Sequence, residues 1–244
     1  TDHGNMFGIK EFFDYSKSVN KKLKEEGKEP FKPIFGCEMY VSRYGKKEKK
    51  DGKTDMGGYH LIVLAKNSKG YHNLVKLVSR AWVDGFYMRP RTDHEDLEKY
   101  HEGLIVCSAC IAGEVPHKIL ENDIEGARQS IEWHKRIFGD DYYLELQRHE
   151  VTDPNVRANR ETYPLQQKAN KILVELAREY GVKLVCTNDC HFVDEENAEA
   201  HDHLLCLSTG KDLDDPTRML YSKQEWFKTR EEMNEVFSDI PEAL

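Results

Sequence analysis

Four short apolar runs, separated by helical patterns and polar loops, constrain this chain more than any other feature. They are PIFGCEMYVS (33–42), YHLIVLA (59–65), GLIVCS (103–108) and KLVCT (183–187). Near-continuous apolar runs of this length are expected of strands covered on both faces. Residues 142–149 alternate instead, with Leu144 and Leu146 facing one way and Glu145, Gln147 and His149 the other. Helices are predicted over 7–26, 69–83 and 160–180. The first and last of these stop at Gly27 and Gly181. The last carries Leu165, Ala169, Ile172, Leu173, Leu176 and Tyr180 on one stripe. Residues 111–139 read as two helices joined near Asn122-Asp123, and 197–207 and 230–237 as two more. Residues 44–58 and 152–159 read as polar loops. The alternation of strand and helix predicts an α/β chain with a mainly parallel sheet, and its regularity suits a barrel slightly better than an open doubly wound sheet. The absence of GxGxxG argues against a nucleotide-binding version of the latter. No internal linker is visible, so residues 1–244 read as a single domain.

Charge narrows the function classes. The formal net charge of -8 argues against a broad duplex-binding face, which would be basic. A small site where metal ions supply the positive charge is compatible with it. No apolar run is long enough to span a bilayer, and no signal peptide is expected. Of the six cysteines, Cys37, Cys186 and Cys206 sit in apolar runs like small core residues. The expectation is a reducing, cytoplasmic location without a disulfide framework. The chain begins Thr1-Asp2-His3-Gly4 without Met and ends at Leu244 inside a possible helical turn, so it is expected to be a fragment of a longer protein.

Chemistry in parallel α/β folds gathers at the C-terminal ends of strands. The polar residues there are Asp2, His3, Glu38, His60, Cys110, Asp189 and His191. This mixed nitrogen, oxygen and sulfur set suits Zn, Mn or Fe. Two ions about 3.5–4 Å apart can hold a bridging hydroxide for in-line attack on phosphorus. On extended backbone Asp189 and His191 point to one side, with Cys190 between them pointing away. Each residue also has a structural explanation. Asp2 and Asp189 could cap helices, and His60 and His191 could be core histidines bonded to carbonyls. Glu38, set in an apolar strand, needs a partner that Arg or Lys could supply as well as a metal. Cys110 could be a plain thiol, since its CxxC has no second copy. Residue types and spacing leave both readings open.

The order of motifs adds a resemblance. TDHGNMFG (1–8), KPIFGCE (32–38), YHL (59–61), GFYMRPR (85–91) and GLI with SAC (103–105, 108–110) come first. YLELQ (143–147), TNDCH (187–191) and DIPEAL (239–244) follow. In this order the chain resembles the PHP (polymerase and histidinol phosphatase) domain, in the form found at the N-terminus of bacterial replicative DNA polymerase III alpha subunits. The resemblance implies a distorted seven-stranded β/α barrel of PHP type with a metal cluster at one mouth. It is expected here without its first strand, because the family's opening His-x-His motif is absent. It implies divalent ions held by His3, Glu38, His60, Cys110, Asp189 and His191, with Asp2 a weaker candidate; no catalytic residue is assigned. It further implies a role in DNA replication, as a metal-dependent 3′–5′ phosphodiesterase in proofreading or as support for the polymerase. The parent would be a DNA-directed DNA polymerase, a nucleotidyltransferase whose polymerase carboxylates lie beyond Leu244. Expected partners are DNA and other holoenzyme subunits, namely the proofreading exonuclease subunit and the sliding clamp. A free-standing PHP phosphatase acting on a small phosphate monoester is the alternative.

Overall fold

The strand Gly36–Val41 has every side chain buried, which its apolar run demands, although it carries Glu38. The computed structural model describes residues 1–49, 57–151, 157 and 161–244. The expected loops at 44–58 and 152–159, and the expected helix start at Arg160, lie partly outside the described residues. In chain order the first elements are β1 (Asp2–His3), α1 (Ile9–Glu25), β2 (Gly36–Val41) and β3 (Tyr59–Ala65). Next come α2 (Ser68–Val83), β4 (Arg91–Thr92), α3 (His94–Lys99), β5 (Leu104–Cys107), α4 (Glu114–Leu120) and α5 (Ile124–Phe138). The last are β6 (Tyr142–Gln147), α6 (Tyr163–Tyr180), β7 (Lys183–Thr187), α7 (Ala198–Thr209) and α8 (Arg230–Val236). Strand pairing runs β1-β2-β3-β5-β6-β7, with β4 also on β2, making seven strands in an α/β chain. That fits a PHP-type β/α barrel, and among the described residues no pairing joins β7 back to β1.

The sheet is mixed, which departs from the mainly parallel sheet expected. β1 and β4 pair parallel to β2 along its two halves, and β5 pairs parallel to β6. β3 runs antiparallel to both β2 and β5. The Lys/Gly-rich stretch that joins β2 to β3 lies partly outside the described residues; an antiparallel neighbour, unlike a parallel one, needs no crossover.

The chain divides into two compact units, Thr1–Glu114 with Ser130–Tyr143, and Val115–Gln129 with Leu144–Leu244. In the first unit, the β2/β3 register puts Cys37, Met39, Leu61 and Val63 on one face, where all four are buried along with Val106 of β5. Leu74, Leu77 and Ala81 of α2 are buried and α2 packs on β3. Each of the two fully buried leucines contributes about 1.5–3 kcal/mol. The helix needs close approach: a Cβ on Gly70 would lie 1.7 Å from the Gly103 carbonyl oxygen. Arg91, the first residue of β4, is fully buried. Its guanidinium donates to the carbonyls of Gly85 (3.2 Å), Lys46 (3.0 Å) and Glu48 (3.0 Å).

In the second unit, α6 starts with Pro164 in its first turn and stops at Gly181 in the left-handed region, φ 60°. Its Ala169, Leu173, Leu176 and Ala177 are buried, as are Leu144 and Leu146 of β6 and Phe237. α8 opens with a capping box between Thr229 and Glu232. The expected break near Asn122 is observed, with Asn122 at φ 63° between α4 and α5.

Candidate metal centre

In the first unit, strand register assembles the site. His3 is paired with Glu38 across β1/β2, and Tyr40 with His60 across β2/β3. Directly paired residues share a face, and so do residues two apart, so His3, Glu38, Tyr40 and His60 lie on the face opposite Cys37 and Met39. Glu38 is buried and held from two sides. His3 Nδ1 lies 3.0 Å from Glu38 Oε2, and His60 Nδ1 lies 2.6 Å from Glu38 Oε1. Burial alone would push the Glu38 carboxyl up. The hydrogen bonds from His3 and His60 outweigh it and hold the group well below the usual carboxylate range. The Cys110 thiol sits 3.5 Å from His60 Nδ1.

Local backbone fixes these groups. Gly4 has φ 66°, its N–H donates to Glu38 O at 2.8 Å, and a Cβ there would meet Pro90 at 2.8 Å and the Tyr40 ring at 2.9 Å. No side chain fits there, so the turn after His3 requires glycine. Trp82 Nε1 donates to Gly4 O at 2.8 Å. After β5, Ala109 turns at φ 61° and the loop returns so that Ala112 O accepts from His60 N at 3.1 Å. Asp2 is exposed and its Oδ2 accepts from Gly8 N at 3.1 Å, at the start of α1. This contact ties the β1 end to the residue before α1, whose own N-cap, Gly8, makes no side-chain cap bond.

Sequence reasoning passed over two neighbours of this group. The Tyr40 ring meets His60 edge-on at 5.3 Å, and Arg89 Nη1 donates to the Tyr40 hydroxyl at 2.8 Å. Tyr40 was findable, since it stands two residues after Glu38 in one strand. Arg89 carries no such spacing. An apolar cleft of about 720 Å³ in the same unit, lined by Phe13, Pro33, Phe35, Leu64 and Tyr71, includes none of the candidate ligands.

In the second unit, β7 ends at Thr187, and Asp189 has φ 45°. The strand does not extend through His191 as expected. Asn188 turns the chain by donating to Gln224 O and Trp226 O, both at 2.7 Å. Asp189 and His191 still converge through this turn, with His191 Nε2 at 3.5 Å from Asp189 Oδ1. The His191 ring lies 4.5 Å from Tyr221 and 5.8 Å from His201. Burial, followed by the neighbouring His191, pushes the His201 imidazole down. Behind the turn, His149 Nε2 donates to Asn188 O (3.0 Å) and its Nδ1 accepts from Gln166 (3.0 Å). Neither His149 nor its buried neighbour Glu225 was singled out from sequence. Cys190 is exposed and reaches Trp226 O at 3.5 Å.

The family model described as PHP domain matches residues 1–149 of this chain. The chain belongs to the PHP domain family. This PHP domain is 44% identical over 245 residues to the DNA polymerase III subunit alpha of Borreliella burgdorferi, covering 100% of this chain and 19% of that protein. It is 41% identical to that of Thermus aquaticus, covering 100% and 18%. It is 37% identical to that of Treponema pallidum, covering 100% and 19%. The chain thus spans about a fifth of the length of the curated relatives it matches, in their N-terminal region. His3, Glu38, His60 and Cys110 fall inside the segment matched by the PHP model; Asp189 and His191 lie in the part carried by the relatives.

Proposed function

We propose that this PHP domain binds divalent metal ions and acts within the alpha subunit of a bacterial DNA polymerase III. The ligands would be His3, Glu38, His60 and Cys110 in the first unit and Asp189 and His191 in the second. The observation that carries this reading is the buried Glu38 carboxylate held between two imidazoles, one to each oxygen. A buried carboxylate is costly without a partner of opposite charge, and a cluster of carboxylate, two imidazoles and a thiol fits Zn, Mn or Fe. Such an ion supplies a hydroxide at neutral pH and polarises a phosphoryl oxygen. The chain's own part is orientation. Glu38 fixes both imidazoles, the Arg89–Tyr40 pair backs His60, and the His149–Asn188 bond holds the turn that presents Asp189 and His191.

The corresponding activity is metal-dependent hydrolysis of a 3′ phosphodiester, serving proofreading next to DNA synthesis by the parent polymerase, in the bacterial cytoplasm. The substrate would be DNA, and the partners the proofreading exonuclease subunit and the sliding clamp. That the match to polymerase subunits covers 100% of this chain supports this reading over a free-standing phosphatase. The test uses the full-length protein. Glu38→Gln and Asp189→Ala are expected to lower bound metal, measured by elemental analysis, and to reduce removal of a mismatched primer end while primer extension is kept. Unchanged metal content in Glu38→Gln would sink the assignment.

A further inference from the structure

We propose that His94, Glu114 and His134 form a second metal site in the first unit, sharing no residue with the Glu38 group and suited to zinc. Three helices each supply one donor. His94 is the first residue of α3, Glu114 the first of α4, and His134 lies in α5. One ligand atom from each lies within 4.8 Å of the other two. His94 Nε2 is already 3.0 Å from Glu114 Oε2. Zinc bonds of about 2.0–2.2 Å bring tetrahedral donors to roughly 3.4 Å apart, a short closure for side chains alone.

The surroundings are those of a ligand set. His134 Nδ1 faces the Ser130 carbonyl at 2.8 Å, and a carbonyl can only accept, so Nδ1 carries the proton and Nε2 is the basic nitrogen. Its ring is stacked on Tyr142 at 4.8 Å, and the His94 ring lies 4.1 Å from Trp133. The second observation is the Tyr142 hydroxyl. It is fully buried and has no hydrogen-bond partner among the described residues. Burial and then the charge of Glu114 push it well up. A buried hydroxyl left unmatched on the ring stacked against His134, within reach of the Glu114 charge, is what a zinc-bound water in the fourth position would satisfy. Entry is open, since the His94 side chain is 41% exposed while that of Glu114 is 9% exposed.

The test is a titration of ZnCl2 against a competing chelator, on full-length protein stripped of metal. It compares wild type, Glu38→Gln, His94→Gln and Glu114→Gln. One zinc equivalent is expected to survive Glu38→Gln and to weaken at least 100-fold in both His94→Gln and Glu114→Gln. Zinc should raise the melting temperature of Glu38→Gln but not of Glu38→Gln carrying His94→Gln. X-ray absorption on zinc-loaded Glu38→Gln should show only nitrogen and oxygen neighbours, since this set contains no sulfur. Retention of that equivalent in both site variants, or zinc uptake abolished by Glu38→Gln alone, overturns the proposal.

Discussion

Asp93 shows how a single buried carboxylate is made permanent. Its Oδ1 accepts from Asp96 N (3.0 Å), capping α3, and its Oδ2 accepts from Lys46 N (3.1 Å), while Lys46 Nζ lies 3.3 Å from Oδ1. Lys46 also reaches Asp96 at 2.7 Å, and Arg80 Nε donates to both Asp96 oxygens at 3.0 Å. Burial pushes Asp93 up, but the two backbone N–H groups and then Lys46 bring it below its ordinary value. A depressed carboxyl contributes stability above its unfolded value of about 3.9 and loses it as pH falls through the lower folded value. Asp93→Asn should therefore cost on the order of 2 kcal/mol near neutrality. The gap to wild type should hold down to about pH 4 and narrow below it. Urea unfolding from pH 7 to 3 measures this; a gap that widens on acidification would refute it.

Among the elements, α2 depends on a cap and a close contact. Asn67 Oδ1 accepts from Gly70 N at 3.0 Å at the helix start, and the same Gly70, in the first turn, lies against the Gly103 backbone. Alanine at position 70 gains about 1 kcal/mol of helix propensity but forces a Cβ to 1.7 Å from a carbonyl oxygen, an overpacking that costs about 3 kcal/mol or more. Gly70→Ala is expected to lower the thermal midpoint clearly, whereas an unchanged or higher midpoint would mean the helix can shift without penalty. The long elements were legible because a strand covered on both faces needs an unbroken apolar run, as Tyr59–Ala65 has. The direction of that strand was not, because hydrophobicity carries no polarity along the chain. β4 was invisible since its two residues, Arg91 and Thr92, are polar in type yet fully buried, Arg91 through its bonds to backbone carbonyls. Of the candidate site, Glu38 was legible because its charge interrupts an apolar run; its pairing with His3 is a matter of strand register, which the residues do not spell out. Asp189 and His191 converge as expected, though through a turn anchored by Asn188 rather than along a strand. His94, Glu114 and His134 stood on three helices with no shared spacing to connect them.

For the whole molecule, the chain passes between its two units three times, at residues 114/115, 129/130 and 143/144. A chain stopped after Gln129 keeps His3, Glu38, His60 and Cys110 but loses the Ser130–Tyr143 part of their unit. It loses the pairing of Tyr142 and Tyr143 with Val106 and Cys107, and the Ser108 N to Tyr143 O bond at 3.1 Å. Such a truncation is expected to lack a cooperative melting transition by circular dichroism, and a sharp transition would show that the omitted segment is dispensable. The interleaving also sets a schedule for synthesis. Glu38 and its imidazole partners emerge early from the ribosome, yet the strand that completes their unit arrives about a hundred residues later. At about 5–20 residues per second this is a wait of roughly 5–20 s. During that interval the most buried carboxylate of the candidate centre is a nascent, water-exposed group. Metal capture by the newborn chain would then precede closure of the core around it.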